Sequence, residues 1–135
     1  MHALIIDDSR AMRRILRRII EPFGFSVLEA EHGQDGLNQL QQHGNAVDLI
    51  LVDWNMPVMD GLQFVKALRS DKTIPHISVV MVTSETEPAQ MARALMAGVD
   101  EFVMKPFTAE VLIEKLQLIG VTIGNPICRS SATSF

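Results

Sequence analysis

The stretch Leu49–Gly61, LILVDWNMPVMDG, decides the fold. Its first four residues, Leu49 to Val52, form an uninterrupted apolar run, with the length and composition of a strand buried on both faces of a parallel sheet. The run stops at an acid. Asp53 therefore stands at the carboxyl end of a buried strand, where open α/β sheets present their ligand sites. Asn55, Pro57, Asp60 and Gly61 then form a turn. Taken alone, Asp53 reads equally well as a turn or helix-capping aspartate. The ends of the other strands decide between the two.

Upstream, Ala3–Ile6 is a short apolar strand that ends in Asp7 and Asp8, adjacent acids that repel unless something positive lies between them. Ser9 caps a helix over Arg10–Glu21, in which Met12, Ile15, Leu16, Ile19 and Ile20 fall at helical spacing among five arginines. Pro22 and Gly24 end it. Ser26–Ala30 is a second strand, and Gly33–His43 a helix with Leu37 and Leu40 on one face and Gly44 as its stop.

Downstream, Asp60 caps a helix whose Leu62, Phe64, Val65 and Leu68 turn inward, and Asp71–Pro75 is the turn out. Ile77–Val82 is a fourth buried strand, finishing in Thr83 and Ser84. Pro88 suits a first helical turn, and Met91, Ala92, Leu95 and Met96 are expected to supply that helix's buried face. The fifth strand, Glu101–Met104, ends in Lys105 and Pro106, and Thr108–Leu118 closes the pattern as a helix.

Five βα units predict a doubly wound α/β protein, a three-layer sandwich around a five-stranded parallel sheet. The second and fifth strands are the least apolar and belong at the edges, which favours order 2-1-3-4-5. The expected division is one domain over residues 1–120 and a loose, flexible tail over 121–135 that contains the single cysteine, Cys128. One cysteine forms no internal disulfide. Net charge −4 argues against a nucleic-acid binder read from overall charge, and the start MHALIIDD is neither a signal peptide nor a membrane span. A cytoplasmic protein with no DNA or membrane partner is expected.

Parallel strands all end on one side, so Asp7, Asp8, Asp53, Thr83 and Lys105 converge. Clustered carboxylates make sense around a hard divalent cation, and oxygen-only ligands suit Mg2+ shared with a phosphoryl group. Lys105 and the Thr83 hydroxyl fit the remaining oxygens of that group.

With DDSRAMRRILR, DWNMPVMDG, MVTSE and VMKPF in this order and spacing, the chain resembles the receiver domain of two-component response regulators, within it the chemotaxis-regulator (CheY-like) branch. The resemblance covers Ala3 to about Ile119. It implies that Asp53 is the phosphoacceptor, that Asp8 and Asp53 ligate Mg2+ directly, Asp7 through water and Asn55 by its backbone carbonyl, and that Lys105 neutralises the transferring group. It implies a cis bond before Pro106, and a switch in which Thr83 swings toward the phosphate while Phe102 rotates into the vacated space. The donor would be a sensor histidine kinase or a histidine phosphotransfer protein. No output domain follows in this sequence, so the downstream target is expected to be a protein bound by the fourth helix, fifth strand and fifth helix. The chain would be a phosphorylated signalling protein and not an enzyme, its chemistry limited to self-phosphotransfer and autodephosphorylation.

Three departures bear on partners. Phe102 stands where the chemotaxis regulators carry tyrosine, which removes a hydroxyl but leaves the rotation possible. Glu85, Glu87 and Pro88 open the fourth helix where those regulators present lysines, which counts against a flagellar motor target. Arg10, Arg13, Arg14, Arg17 and Arg18 crowd the first helix and are expected either to steer an acidic partner or simply to form a solvated face.

The rival readings are a phosphorylation-independent interaction module and a phosphatase of haloacid-dehalogenase type. The second expects its nucleophile first in the chain as Asp-x-Asp, whereas here the early acids are adjacent and Asp53 comes later. A flavodoxin-like cofactor binder is weaker, because acids after the first strand repel phosphate.

Overall fold

The structure is a computed structural model that describes residues 1–43 and 46–121. Strand β1 (His2–Ile6) leads into helix α1 (Arg10–Ile20), then β2 (Ser26–Ala30) and α2 (Gly33–His43), β3 (Val47–Val52) and α3 (Gly61–Ser70), β4 (Ser78–Thr83) and α4 (Pro88–Ala97), and β5 (Glu101–Met104) and α5 (Ala109–Leu118). All pairings are parallel and the order is β2-β1-β3-β4-β5, as the apolar content of the strands predicted. The expected stop at Gly44, most of the tail over 121–135 and Cys128 lie outside the described residues; Val121 is half-buried against the core.

The two faces of the sheet have separate cores because side chains alternate along each strand. Leu4 and Ile6 of β1 and Ile50 and Val52 of β3 face Leu40, Phe64, Val65, Leu68 and Ala94 of α2, α3 and α4. Ala3, Ile5, Leu49 and Leu51 face Leu16, Ile20, Leu112 and Leu116 of α1 and α5. From Leu49 to Val52 every side chain is fully buried, which is why that run shows no polar alternation.

Helix ends follow their sequence signals. Ser9 accepts from the Met12 N–H, Thr108 accepts from the Val111 N–H, and Asp60 and Gln63 form a reciprocal capping box. α1 stops at Ile20, and Pro22 sits inside a 3-10 turn, Glu21–Phe23, that Gly24 closes at φ 99°. β3 begins at Val47, two residues before the apolar run.

α4 turns a different face inward from the one its apolar residues suggested. Ala94 is its buried residue and Met91 and Ala97 are half-buried, whereas Ala92, Leu95 and Met96 are exposed, Met96 at 89%. The small Ala94 side chain lets the helix lie close to the sheet, and that contact sets its rotation. Its C-terminal end is held from below: the Arg69 guanidinium donates from Nε and NH2 to the Gly98 carbonyl at 3.2 and 3.0 Å, and from NH2 to Asp100 at 3.2 Å. Ile15 of α1 is likewise exposed, outside the stripe of Leu16 and Ile20.

Candidate functional site

Asp7, Asp8 and Asp53 meet at the carboxyl ends of β1 and β3. Each offers a carboxylate oxygen, and these oxygens lie within 4.8 Å of one another. Asp7 and Asp53 are buried and Asp8 is exposed, so the cluster opens to solvent on the Asp8 side. Asp53 is carried one residue past β3, its N–H donating to the Ile6 carbonyl at 2.9 Å, and Gly61 packs against the Asp53 backbone where a Cβ would collide with it. Asn55 is exposed in the turn beyond.

Lys105 supplies the counter-charge. From the end of β5 its Nζ lies 3.2 Å from Oδ2 of Asp7 and 3.3 Å from Oδ2 of Asp53. The peptide bond between Lys105 and Pro106 is cis. Burial pushes the Asp53 carboxyl above its ordinary value and the neighbouring Asp7 adds to this, while Lys105 and the Trp54 N–H, which donates to Oδ1 at 2.7 Å, pull it back. Trp54 itself is buried beside Asp53.

Thr83 is fully buried at the end of β4, and its carbonyl accepts from the Lys105 N–H at 2.9 Å. Its hydroxyl accepts from the Glu85 N–H at 3.1 Å. Phe102 is buried and belongs to the same core as Phe64 and Met81, while its outer edge lines an apolar groove with Met91, Met104, Phe107 and Val111 between α4 and α5.

The loop from β3 to α3 is shaped by one unusual turn. The Met59 N–H donates to the Pro57 carbonyl at 2.7 Å, and Val58 between them has φ 68°, the strained form of the γ-turn. Gly33, at the start of α2, donates its N–H to the Met59 carbonyl at 3.1 Å and has no room for a side chain beneath Met59. The site loop is thereby fastened to α2.

The arginines of α1 divide. Arg13 is buried, with Nε 2.9 Å from Oε1 of Glu29 on β2, and Arg17 places NH2 2.8 Å from Oε2 of the same glutamate. Arg10, Arg14 and Arg18 are exposed and have no ion pair among the described residues. The sequence reading grouped all five as one charged face and missed Arg13. The available signal was its spacing with Leu16 and Ile20 on the buried stripe.

An all-oxygen acid cluster that can hold a metal, opposed by a lysine at the strand ends of a doubly wound sheet, defines a phosphoryl-handling class of α/β protein. The model of the response regulator receiver domain matches residues 3–117, and the chain belongs to that family. It is 42% identical over 120 residues to chemotaxis protein CheY1 of Helicobacter pylori, covering 88% of this chain and 96% of that one. Chemotaxis protein CheY of Pseudomonas aeruginosa is also 42% identical, over 88% of this chain and 95% of its own length. The solved structure of Vibrio cholerae chemotaxis protein CheY4 superposes with a TM-score of 0.80 at 32% identity, covering 87% of this chain and 97% of that one.

Proposed function

We propose that this chain receives a phosphoryl group on Asp53 from the phosphohistidine of a sensor kinase or histidine phosphotransfer protein, with Mg2+ held by Asp7, Asp8, Asp53 and the Asn55 carbonyl. The observation that carries the reading is the meeting of three carboxylates with Lys105, whose Nζ already lies 3.3 Å from the acceptor. Ionised Asp53 is the nucleophile and needs no base at neutral pH. A carboxylate oxygen forms a bond to phosphorus as the phosphorus–nitrogen bond to histidine breaks. Lys105 neutralises charge gathering on the equatorial oxygens, and bound Mg2+ supplies further charge neutralisation there. Burial of Asp7, Asp53 and Thr83 lowers the local dielectric and strengthens each of these interactions.

The output is a protein contact. The Thr83 hydroxyl leaves the Glu85 N–H for the phosphoryl group, and Phe102 repacks against α4, changing the groove between α4 and α5 where the downstream protein binds. The relatives are named for chemotaxis, which makes a chemotactic pathway the natural setting in the cytoplasm. The acids at Glu85 and Glu87 and the missing tyrosine hydroxyl at Phe102 argue for a target other than the flagellar motor. The exposed Arg10, Arg14 and Arg18 are the charges available to steer the phosphodonor. On this reading the chain is a phosphorylated signalling protein, its own chemistry confined to acquiring and losing the group.

Incubation with acetyl phosphate, with and without Mg2+, followed by intact mass, tests this. A Mg2+-dependent gain of one phosphoryl group in the wild type and none in Asp53→Asn is expected. No gain in the wild type favours a phosphorylation-independent interaction module.

A further inference from the structure

Arg13 is 8% exposed and lies on the face of α1 turned toward the sheet. Besides the ion pair with Glu29, its NH1 donates to the backbone carbonyl of Asp7 at 2.6 Å. A guanidinium presents several donors in a fixed plane, so one side chain binds both groups at once. Glu29 is itself immobilised by Arg17 and by pairing of β2 with β1, where it lies opposite Ile5. The carbonyl of a site acid is thus tied to the edge strand.

Every other polar atom of Asp7 is also held. Its N–H donates to the Ala30 carbonyl at 3.1 Å, Oδ1 accepts from the Ser9 N–H at 2.8 Å, and Oδ2 accepts from Lys105 at 3.2 Å. Asp8, by contrast, makes no side-chain hydrogen bond or ion pair among the described residues. What aims its carboxylate is the peptide linking it to Asp7, and the carbonyl of that peptide is the one Arg13 grips.

We propose that Arg13 is a positioning residue for the metal-binding acids: by fixing the Asp7–Asp8 peptide it sets the affinity of the site for a divalent cation. The inference rests on the metal site proposed above and adds a residue that touches neither the cation nor the phosphoryl group.

Three roles for Arg13 differ in sign. A guanidinium acting only through its charge repels a dication, so its removal would tighten Mg2+ binding. A merely structural arginine would lower the melting temperature and leave the affinity alone. A positioning residue weakens binding when lost, and groups one bond removed from a metal ligand commonly shift affinity about tenfold or more.

The test is titration of Mg2+ into the full chain, read by calorimetry and by Trp54 fluorescence, for the wild type, Arg13→Met, Arg13→Lys and Arg69→Met. Arg69 is the control because it fastens α4 at the opposite end of the sheet. The expected result is a dissociation constant raised about tenfold in Arg13→Met. Arg13→Lys should also bind more weakly, since an ammonium keeps the charge but does not span Asp7 and Glu29 together. Arg69→Met should lose thermal stability and keep wild-type affinity. Unchanged or tighter binding in the Arg13 variants would overturn the assignment, as would equal weakening in Arg69→Met. If Arg13→Met does not fold, Arg13→Lys decides alone. A wild type that binds no Mg2+ by calorimetry overturns the metal site itself and this inference with it, a result distinct from a wild type that binds and an Arg13 variant that binds equally well.

Discussion

The Lys105 ammonium lies 3.3 Å from Oδ2 of Asp53, joining the ends of β5 and β3 across β4. This contact lowers the cost of an ionised Asp53 in its buried position without cancelling it, since burial still leaves the Asp53 carboxyl above its ordinary value. Between the unfolded and folded pKa values the folded protein holds a proton that the unfolded chain has released. Stability contributed by this group therefore falls as pH rises through that window.

In metal-free buffer Asp53→Asn should accordingly be more stable than the wild type at pH 7. The advantage should shrink as pH drops through the folded value of Asp53 and vanish below its unfolded value. Urea unfolding with chelator at a series of pH values measures it. A variant less stable than the wild type at pH 7 would show that the Lys105 contact outweighs burial.

Thr83→Ala should remain folded, losing about 1 kcal/mol for the hydroxyl that accepts from Glu85. It should still be phosphorylated, but phosphorylation should no longer change binding at the α4–α5 groove. Partner capture with and without acetyl phosphate reports this, and wild-type switching in the variant would remove Thr83 from the mechanism.

Reversing the exposed pair Arg14 and Arg18 to glutamate should slow phosphotransfer from the donor several-fold at low salt and less at 0.5 M salt, because screening suppresses long-range steering. Equal slowing at both salt concentrations would point to a short-range contact instead.

Val58→Asn should stabilise the protein by about 1 kcal/mol, since asparagine tolerates the positive φ that a β-branched residue resists. Thermal melts decide this directly. A fall in melting temperature would mean that the exposed valine makes a contact worth more than the strain.

The strand ends were legible because their chemistry interrupts apolar runs: Asp7 after Ile6, Asp53 after Val52, Thr83 after Val82 and Lys105 after Met104. The rotation of α4 was not, because its apolar residues spread around the helix and the deciding contact is made by the small Ala94. Arg13 was hidden by its neighbours. Five arginines in nine positions read as a solvent-facing charge run, and the acid that buries one of them, Glu29, lies on another strand. Nothing in MPVMDG marks Val58 for a left-handed backbone, since the turn is imposed by the loop's attachment to α2 through Gly33 and Met59.

The hold of Arg69 on Gly98 makes α4 a lever with its fulcrum at the end remote from the acids. At the other end the Glu87 side chain makes no capping bond, and the Glu87 N–H donates to Oε1 of Glu85 at 2.9 Å, so that end is anchored through its own loop. A tilt of about ten degrees around Gly98 would carry Pro88 about 2–3 Å over a helix this long. On the proposed switch, small rearrangements at Thr83 would act on the far end of this arm, where little force turns the helix, while the exposed Leu95 and Met96, beside the fulcrum, would stay nearly in place.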